Sequence, residues 1–422
     1  MYNKKIKEFN SKIVLLLLFA IYIYPFYFKN LEIIGYIIIY LLPAIYVLLK
    51  LPNFKSIIRK CSVSQFICAI GIIILVIFSL IVPYTHGTND YSYFSIIFAI
   101  LRKFVIYIFL FILIISKKRN KNENPEIIFM EFYVGATIIY ILGTVCFSLC
   151  SPLREFWMSV IENEGYSRLM NTYGYGFRVG WQGFSGYRNT FSCSVAVLFI
   201  LYLLNYKSGY KKYTFRTKKY FFCLIITLIG NMFYGRTGVL CSFIIIFYYI
   251  MAEKMLSLSF IVKCGVLTIF FIICIVFLKN KISFINDWIY WMSEPFVNLL
   301  ETGSFNNYSY TNVTENMIFL PSDHTLLFGD GRYAGSNGSY YMGTDVGFMR
   351  LILFWGVIGM LIAYIVVFFS ILSVEKKNNM KICMFIIFII YEFKGEIYYE
   401  IIAIMLAIGY MDKIVKGIKK GR

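Results

Sequence analysis

The chain of 422 residues is 59% hydrophobic, 20% aromatic and only 15% charged, with a mean hydropathy of +0.71. That composition excludes a soluble globular domain, and repeated apolar runs of about 17 to 25 residues, each long enough to cross a hydrocarbon core, mark a polytopic helical membrane protein. The formal charge of +19 does not point to nucleic acid, because most Lys sit in short loops on alternate sides of the predicted spans, which is the positive-inside pattern.

In chain order, a basic start, MYNKKIKEFNSK, precedes a first predicted span near Ile13 to Phe28. It lacks a small-residue cleavage site and reads as a retained span rather than a signal peptide. A second span, Leu31 to Leu49, returns to the basic loop KLPNFKSIIRK. A third, Ser64 to Val82, leads to PYTHGTNDYSY, which has no Lys or Arg and reads as outside; a fourth, Phe94 to Ile115, comes back to SKKRNKNENPE. The fifth, Ile127 to Leu149, opens into a first long outer loop, 151–186, and the sixth, Tyr187 to Tyr206, returns to the most basic inner loop. A hairpin follows, Tyr220 to Tyr234 and Thr237 to Ile250, turning at GRTG. A ninth span, Leu256 to Leu278, leads to the main outer loop, 279–344, where Phe284, Trp288 and Trp291 share helical spacing and predict a short interfacial helix, aromatic face down. A tenth span, Val346 to Leu372, and a final hairpin, Ile382 to Tyr391 and Ile397 to Tyr410, complete the chain. The expectation is an all-α integral membrane protein, a single polytopic domain over 1–422 with about twelve transmembrane helices, both termini cytoplasmic and one long extracytoplasmic loop.

The ten cysteines fall in or beside apolar runs and form neither a disulfide framework nor a zinc pattern; they read as small core residues. There is no GxxxxGK[ST] loop and no strand followed by a Gly-rich turn, so neither nucleotide hydrolysis nor a dinucleotide cofactor is supported. The two histidines, His86 and His324, lie far apart in sequence and no acidic pair stands at ligand spacing. Neither a metal nor a cofactor is expected.

The outer segments hold Arg154, Arg168, Arg178, Arg188, Arg236, Arg332 and Arg350, whereas the inner basic residues are mostly Lys. A guanidinium grips phosphate or carboxylate through two hydrogen bonds, while a loop Lys need be no more than a topology signal. Arginines facing outward from a membrane suggest an anionic ligand at that face, and a lipid phosphate is the obvious one. A transferase there cannot draw on ATP, so its donor must arrive activated. A sugar joined to a lipid diphosphate fits: Arg side chains neutralise the leaving diphosphate and a general base deprotonates the acceptor hydroxyl.

The stretch Leu320 to Gly359, which contains LLFGDGRY and TDVGFMRLILFWGVIG, resembles the Wzy-type O-antigen and capsular polysaccharide polymerases. RVGWQGFSGYRNTFS at the head of the sixth span and YGRTGVL in the hairpin are similar to the two arginine motifs that those polymerases share with the O-antigen ligases. The resemblance implies a metal-independent, GT-C-like membrane glycosyltransferase that joins undecaprenyl-diphosphate-linked repeat units outside the bacterial cytoplasmic membrane, with a chain-length regulator and a flippase as partners. It places Arg178 at the first outer-loop arginine, with Arg188 a second candidate, Asn189 at the small polar residue that follows, and Arg236 at the hairpin arginine. The ligases carry a catalytic His in the main loop; His324 is the local candidate but lacks the surrounding ligase pattern, which favours polymerase over ligase.

Each residue also has a structural reading. Arg236 marks an interfacial helix end, Arg178 and Arg188 reach lipid head groups, and Asp345 caps the tenth span or serves as base beside His324. Arg350 pairs with an acid or binds substrate. Arg332 adjoins GDG, itself a turn sequence. Arg102 and Lys103 contact a lipid diphosphate or pair with Glu392 or Glu396. A lipid-linked oligosaccharide flippase is the rival from a different class, but its charges belong in a central cavity rather than on outer loops.

Overall fold

The computed structural model describes residues 2–50, 61–117, 124–161, 178–184, 186–206, 213–252, 283–303, 311–335, 339–375 and 377–420. The expected ninth span, Leu256 to Leu278, lies outside the described residues. The fold is mostly helical. Helices α1 (Tyr2–Ile23), α2 (Glu32–Lys50), α3 (Val63–Thr85), α4 (Ser92–Lys117) and α5 (Pro125–Leu149) follow one another from the N-terminus. A short α6 (Ser151–Val160) and a tight hairpin, β1 (Val179–Gly180) with β2 (Gly183–Phe184), lead to α7 (Tyr187–Asn205), α8 (Tyr213–Tyr234) and α9 (Arg236–Ala252). Then come α10 (Ser283–Thr302), α11 (Asp323–Phe328), α12 (Gly347–Leu372), α13 (Asn378–Glu392) and α14 (Tyr398–Lys420). Among the described residues six helices, α2, α3, α4, α5, α7 and α12, are long and apolar enough to cross a membrane. The segments Ser11–Ile23 and Arg236–Ala252 are shorter apolar helices. The chain is a helical membrane protein.

Two compact units partition it: residues Met1–Tyr36 with Met130–Asn307, and residues Ile37–Phe129 with Tyr308–Arg422. In the first unit α7 lies against α8 and α9, and Ser194 to Leu201 are buried on every side, as expected of a helix apolar all round. The first helix ends at Ile23, and Tyr24 leaves it to stack on Tyr140 at 4.1 Å and donate a hydrogen bond to Thr137 Oγ1. Trp181, at the tip of the β-hairpin, packs edge-on against both rings and donates from Nε1 to the Tyr24 carbonyl. This aromatic cluster fixes the hairpin, and with it the start of α7, to the helix bundle.

In the second unit α3 begins with a capping box, Ser62 with Gln65. Val63, Phe66, Ile70, Ile73, Ile77, Leu80 and Tyr84 are exposed at alternating three- and four-residue spacing, a lipid-facing stripe. The opposite face, including Cys68, Gly71 and Leu75, packs on α12, close enough for Cys68 Sγ to reach the Val366 carbonyl at 3.5 Å. Small residues let helices approach in this way.

Helix α12 is broken at Gly356, whose φ of 71° and ψ of 179° are open essentially to glycine alone. The break frees the carbonyls of Leu353 and Phe354 from the amides four residues on. They accept instead from Asp330 N at 2.7 Å and Gly331 N at 3.2 Å. The GDG sequence is therefore more than a turn: it supplies the donors that the broken helix lacks. The backbones meet without room for a methyl group, since a Cβ on Gly329 would strike the Phe354 carbonyl and one on Gly356 the Leu327 carbonyl.

Gly356→Ala should therefore cost about 3 kcal/mol or more, from backbone strain plus collision. Gly343→Ala, also at positive φ but with open space around it, should cost only about 1 to 2 kcal/mol. Thermal unfolding in detergent compares the two; equal losses would contradict the interlocked seam.

Candidate functional sites in the two units

The first site is built from segments far apart in sequence. Arg178 precedes β1, Arg236 opens α9, and Trp291 and Glu294 lie one turn apart on α10. The Arg178 guanidinium carbon lies 4.4 Å from the Trp291 ring centroid and that of Arg236 lies 4.6 Å from the same ring. Arg236 also forms an ion pair with Glu294 at 2.5 Å. Each cation–π contact contributes about 0.5 to 2 kcal/mol, the larger value where water is excluded. Trp291 thus meets two cations, while the side chains of Phe284 and Trp288 lie outside the described residues. Arg188 is exposed in the first turn of α7. Asn189 is buried, donating to the Tyr140 hydroxyl at 3.1 Å and accepting from Gln182 at 3.2 Å, which ties the head of α7 to the aromatic cluster. Arg178 and Arg236 converge on Trp291.

The second site surrounds Arg350. Its side chain is 7% exposed, and the guanidinium carbon lies over the rings of Tyr333 and Tyr340, at 3.9 and 4.2 Å from their centroids. Nη1 lies 3.4 Å from Glu396 Oε2. Glu396 also accepts from the Tyr93 hydroxyl. Burial, with the Glu396 charge next, pushes the Tyr333 hydroxyl up to about 12, so this ring faces the cation uncharged. Asp345 does not cap α12, since Val346 occupies the cap position without a side-chain bond. Burial raises the Asp345 carboxyl above the usual carboxylate range, against the pull of Lys394 and Arg350.

The main-loop segment is latched to the turn between α3 and α4. Asp90 accepts from the amides of Tyr333 at 2.7 Å and Ala334 at 3.3 Å, and Thr88 Oγ1 donates to the Gly331 carbonyl at 2.6 Å. Asp330 accepts from Thr325 Oγ1 and the Tyr341 hydroxyl. Arg332, between these anchors, is exposed. His324 is exposed on α11, and its ring lies 5.7 Å from that of His86, so two histidines distant in sequence are neighbours. Lys103 pairs with Glu400, an acid of α14. Arg102 lies over Tyr40 and Phe98 and donates to the Ser95 carbonyl. Among the described residues no cluster of three or more His, Cys, Asp or Glu could hold a metal ion.

Sequence reasoning missed Glu294, Tyr333 and Tyr340. Glu294 stands three residues after Trp291, a spacing that places both on one helix face. The tyrosines carry no comparable signal, because only the folded loop brings them onto Arg350. No protein-family model, curated protein or solved structure matches the chain.

Burial raises the Asp90 carboxyl, but hydrogen bonds from the Ser92 side chain and from the backbones of Tyr333, Ser92 and Ala334 outweigh it and hold it below its ordinary value. The latch is therefore complete above the unfolded value near pH ~4 and is lost as pH falls through the lower folded value. Hydrogen exchange of the Tyr333 and Ala334 amides should show normalised protection falling below about pH 4. In Asp90→Asn, protection should be weaker at neutral pH and lack that acid dependence. Unchanged protection in the variant would refute the latch.

Proposed function

We propose that this protein is a polysaccharide polymerase that joins undecaprenyl-diphosphate-linked oligosaccharide repeat units on the outer face of the bacterial cytoplasmic membrane. In this reading about twelve spans, with both termini cytoplasmic, carry the main loop 279–344 outside. One observation carries it: Arg178 and Arg236, from two separate arginine motifs, meet on the ring of Trp291 beside Glu294.

Arg178 and Arg236 stand over one ring, and Glu294 pairs with Arg236. A diphosphate offers oxygens that guanidinium groups grip in pairs. Charge growing on the leaving diphosphate as the glycosidic bond breaks is stabilised by donors already in place. Glu294 is the internal counter-ion that the ligand displaces from Arg236. Arg188, exposed nearby in sequence, extends the anionic contact, and Arg102 and Arg332 are further lipid or glycan contacts. His324 and Asp345 are the groups able to deprotonate the acceptor hydroxyl. The reaction needs neither metal nor nucleotide.

Purified protein in detergent, given a cognate undecaprenyl-diphosphate oligosaccharide with EDTA and no nucleotide, should produce a ladder of added repeat units. Arg236→Ala should abolish the ladder in folded protein, and Trp291→Ala should slow it by about 10- to 100-fold, the equivalent of losing two cation–π contacts. No new bond, together with outward movement of the same lipid in proteoliposomes, would overturn the polymerase in favour of a flippase.

A further inference from the structure

The two histidines of the chain come from different elements and meet in the second unit. His86 caps the end of α3 and His324 stands in the first turn of α11, with ring centroids 5.7 Å apart and planes at 69°. Both are open to solvent: His86 is half-buried, His324 is exposed, and a Cβ on the neighbouring Gly87 would meet nothing within 4 Å. His86 Nδ1 lies 2.9 Å from the Val82 carbonyl and 3.3 Å from Thr85 Oγ1. A carbonyl can only accept, so in the neutral ring Nδ1 carries the proton and Nε2 keeps the lone pair. An imidazole that donates from one nitrogen to a main-chain carbonyl and offers the other is the usual arrangement of a metal-bound histidine.

The spacing suits one shared ion. A metal about 2.0 to 2.1 Å from an imidazole nitrogen lies about 3.2 Å from the ring centre, so two rings on one tetrahedral ion have centres about 5.2 Å apart. The observed separation is within reach of that value. His86 is held by its hydrogen bond, whereas an exposed side chain such as His324 turns rapidly between rotamers and can bring a nitrogen to the ion. Imidazole ligates zinc, copper and nickel, while magnesium and calcium prefer oxygen. Two imidazoles leave the remaining positions to water, so the ion exchanges with the medium. Plain edge-to-face packing of the two rings is the alternative, and it predicts no metal uptake.

We infer that His86 and His324 form a site for an exchangeable divalent cation of the zinc type, which clips α11 to the end of α3. Under the polymerase reading with His324 as base, on which this assignment of role rests, the ion occupies the lone pair that would deprotonate the acceptor hydroxyl, so zinc is a reversible inhibitor. The binding itself does not depend on that reading.

The test uses the untagged full chain in detergent, stripped of metal and with its accessible thiols alkylated, and one equivalent of copper(II) as the probe. Because the chain has two histidines in all, bound imidazoles counted by electron spin-echo modulation report on this pair alone. Wild type should show two, and His86→Ala and His324→Ala at most one each. Zinc(II) should raise the unfolding temperature of wild type and of neither variant, and magnesium should raise none. His324 is exposed, so His324→Ala keeps the comparison valid where loss of the Val82 hydrogen bond unfolds His86→Ala. One bound imidazole or none in wild type, or a zinc shift that persists in His324→Ala, would overturn the site. Saturating zinc should slow ladder synthesis by wild type about 100-fold, the share a general base supplies, and leave His86→Ala close to its zinc-free rate. Two bound imidazoles with ladder synthesis indifferent to zinc would keep the site and remove its assigned role. A ladder from a wild type that binds no metal would leave the polymerase reading standing without the site.

Discussion

A broken helix in a membrane protein needs partners for the backbone groups that the break releases. At Gly356 those partners are the amides of Asp330 and Gly331. An unsatisfied peptide group away from water costs about 1 to 3 kcal/mol or more, so the main-loop segment and α12 form together or not at all. The loop must reach the helix through glycine at Gly329, because the two backbones are in contact. Once that seam is made, Tyr333 is delivered to the Asp90 latch and to one face of Arg350. The surroundings of Arg350 therefore depend on a contact between two pieces of main chain.

The two units use arginine in different ways. In the first, two guanidiniums share a single aromatic ring and one of them pairs with a carboxylate. In the second, one guanidinium is enclosed by two rings and a buried acid, so its charge is already balanced. Coulomb energy is large at these separations in a poorly solvated setting. Arginine suits both because its planar, permanently charged head stacks on rings while its edge donates.

Much of the helical order was legible in the chain. The expected spans Ser64 to Val82, Ile127 to Leu149 and Tyr187 to Tyr206 correspond to the helices Val63–Thr85, Pro125–Leu149 and Tyr187–Asn205, because long apolar runs can satisfy their backbones in few other ways. The first helix stops at Ile23 rather than continuing to Phe28. Hydropathy could not mark that stop, since Tyr24 is apolar enough for a span but leaves the helix to join Tyr140 and Trp181. Asp345 looked like a helix cap by position, yet α12 starts one residue later and its carboxyl faces an environment set by Arg350 and Lys394.

By itself the sequence determined that this is a helical membrane protein and where many of its helices begin and end. Those properties follow from local composition and periodicity. Only the tertiary structure decided that Arg178 and Arg236 share Trp291, that Glu396 lies against Arg350, that Lys103 meets Glu400, and that GDG completes a helix broken at Gly356. Each of these joins residues tens to hundreds of positions apart, and pairings at that range are fixed by how the helices pack, which no local pattern of residues encodes.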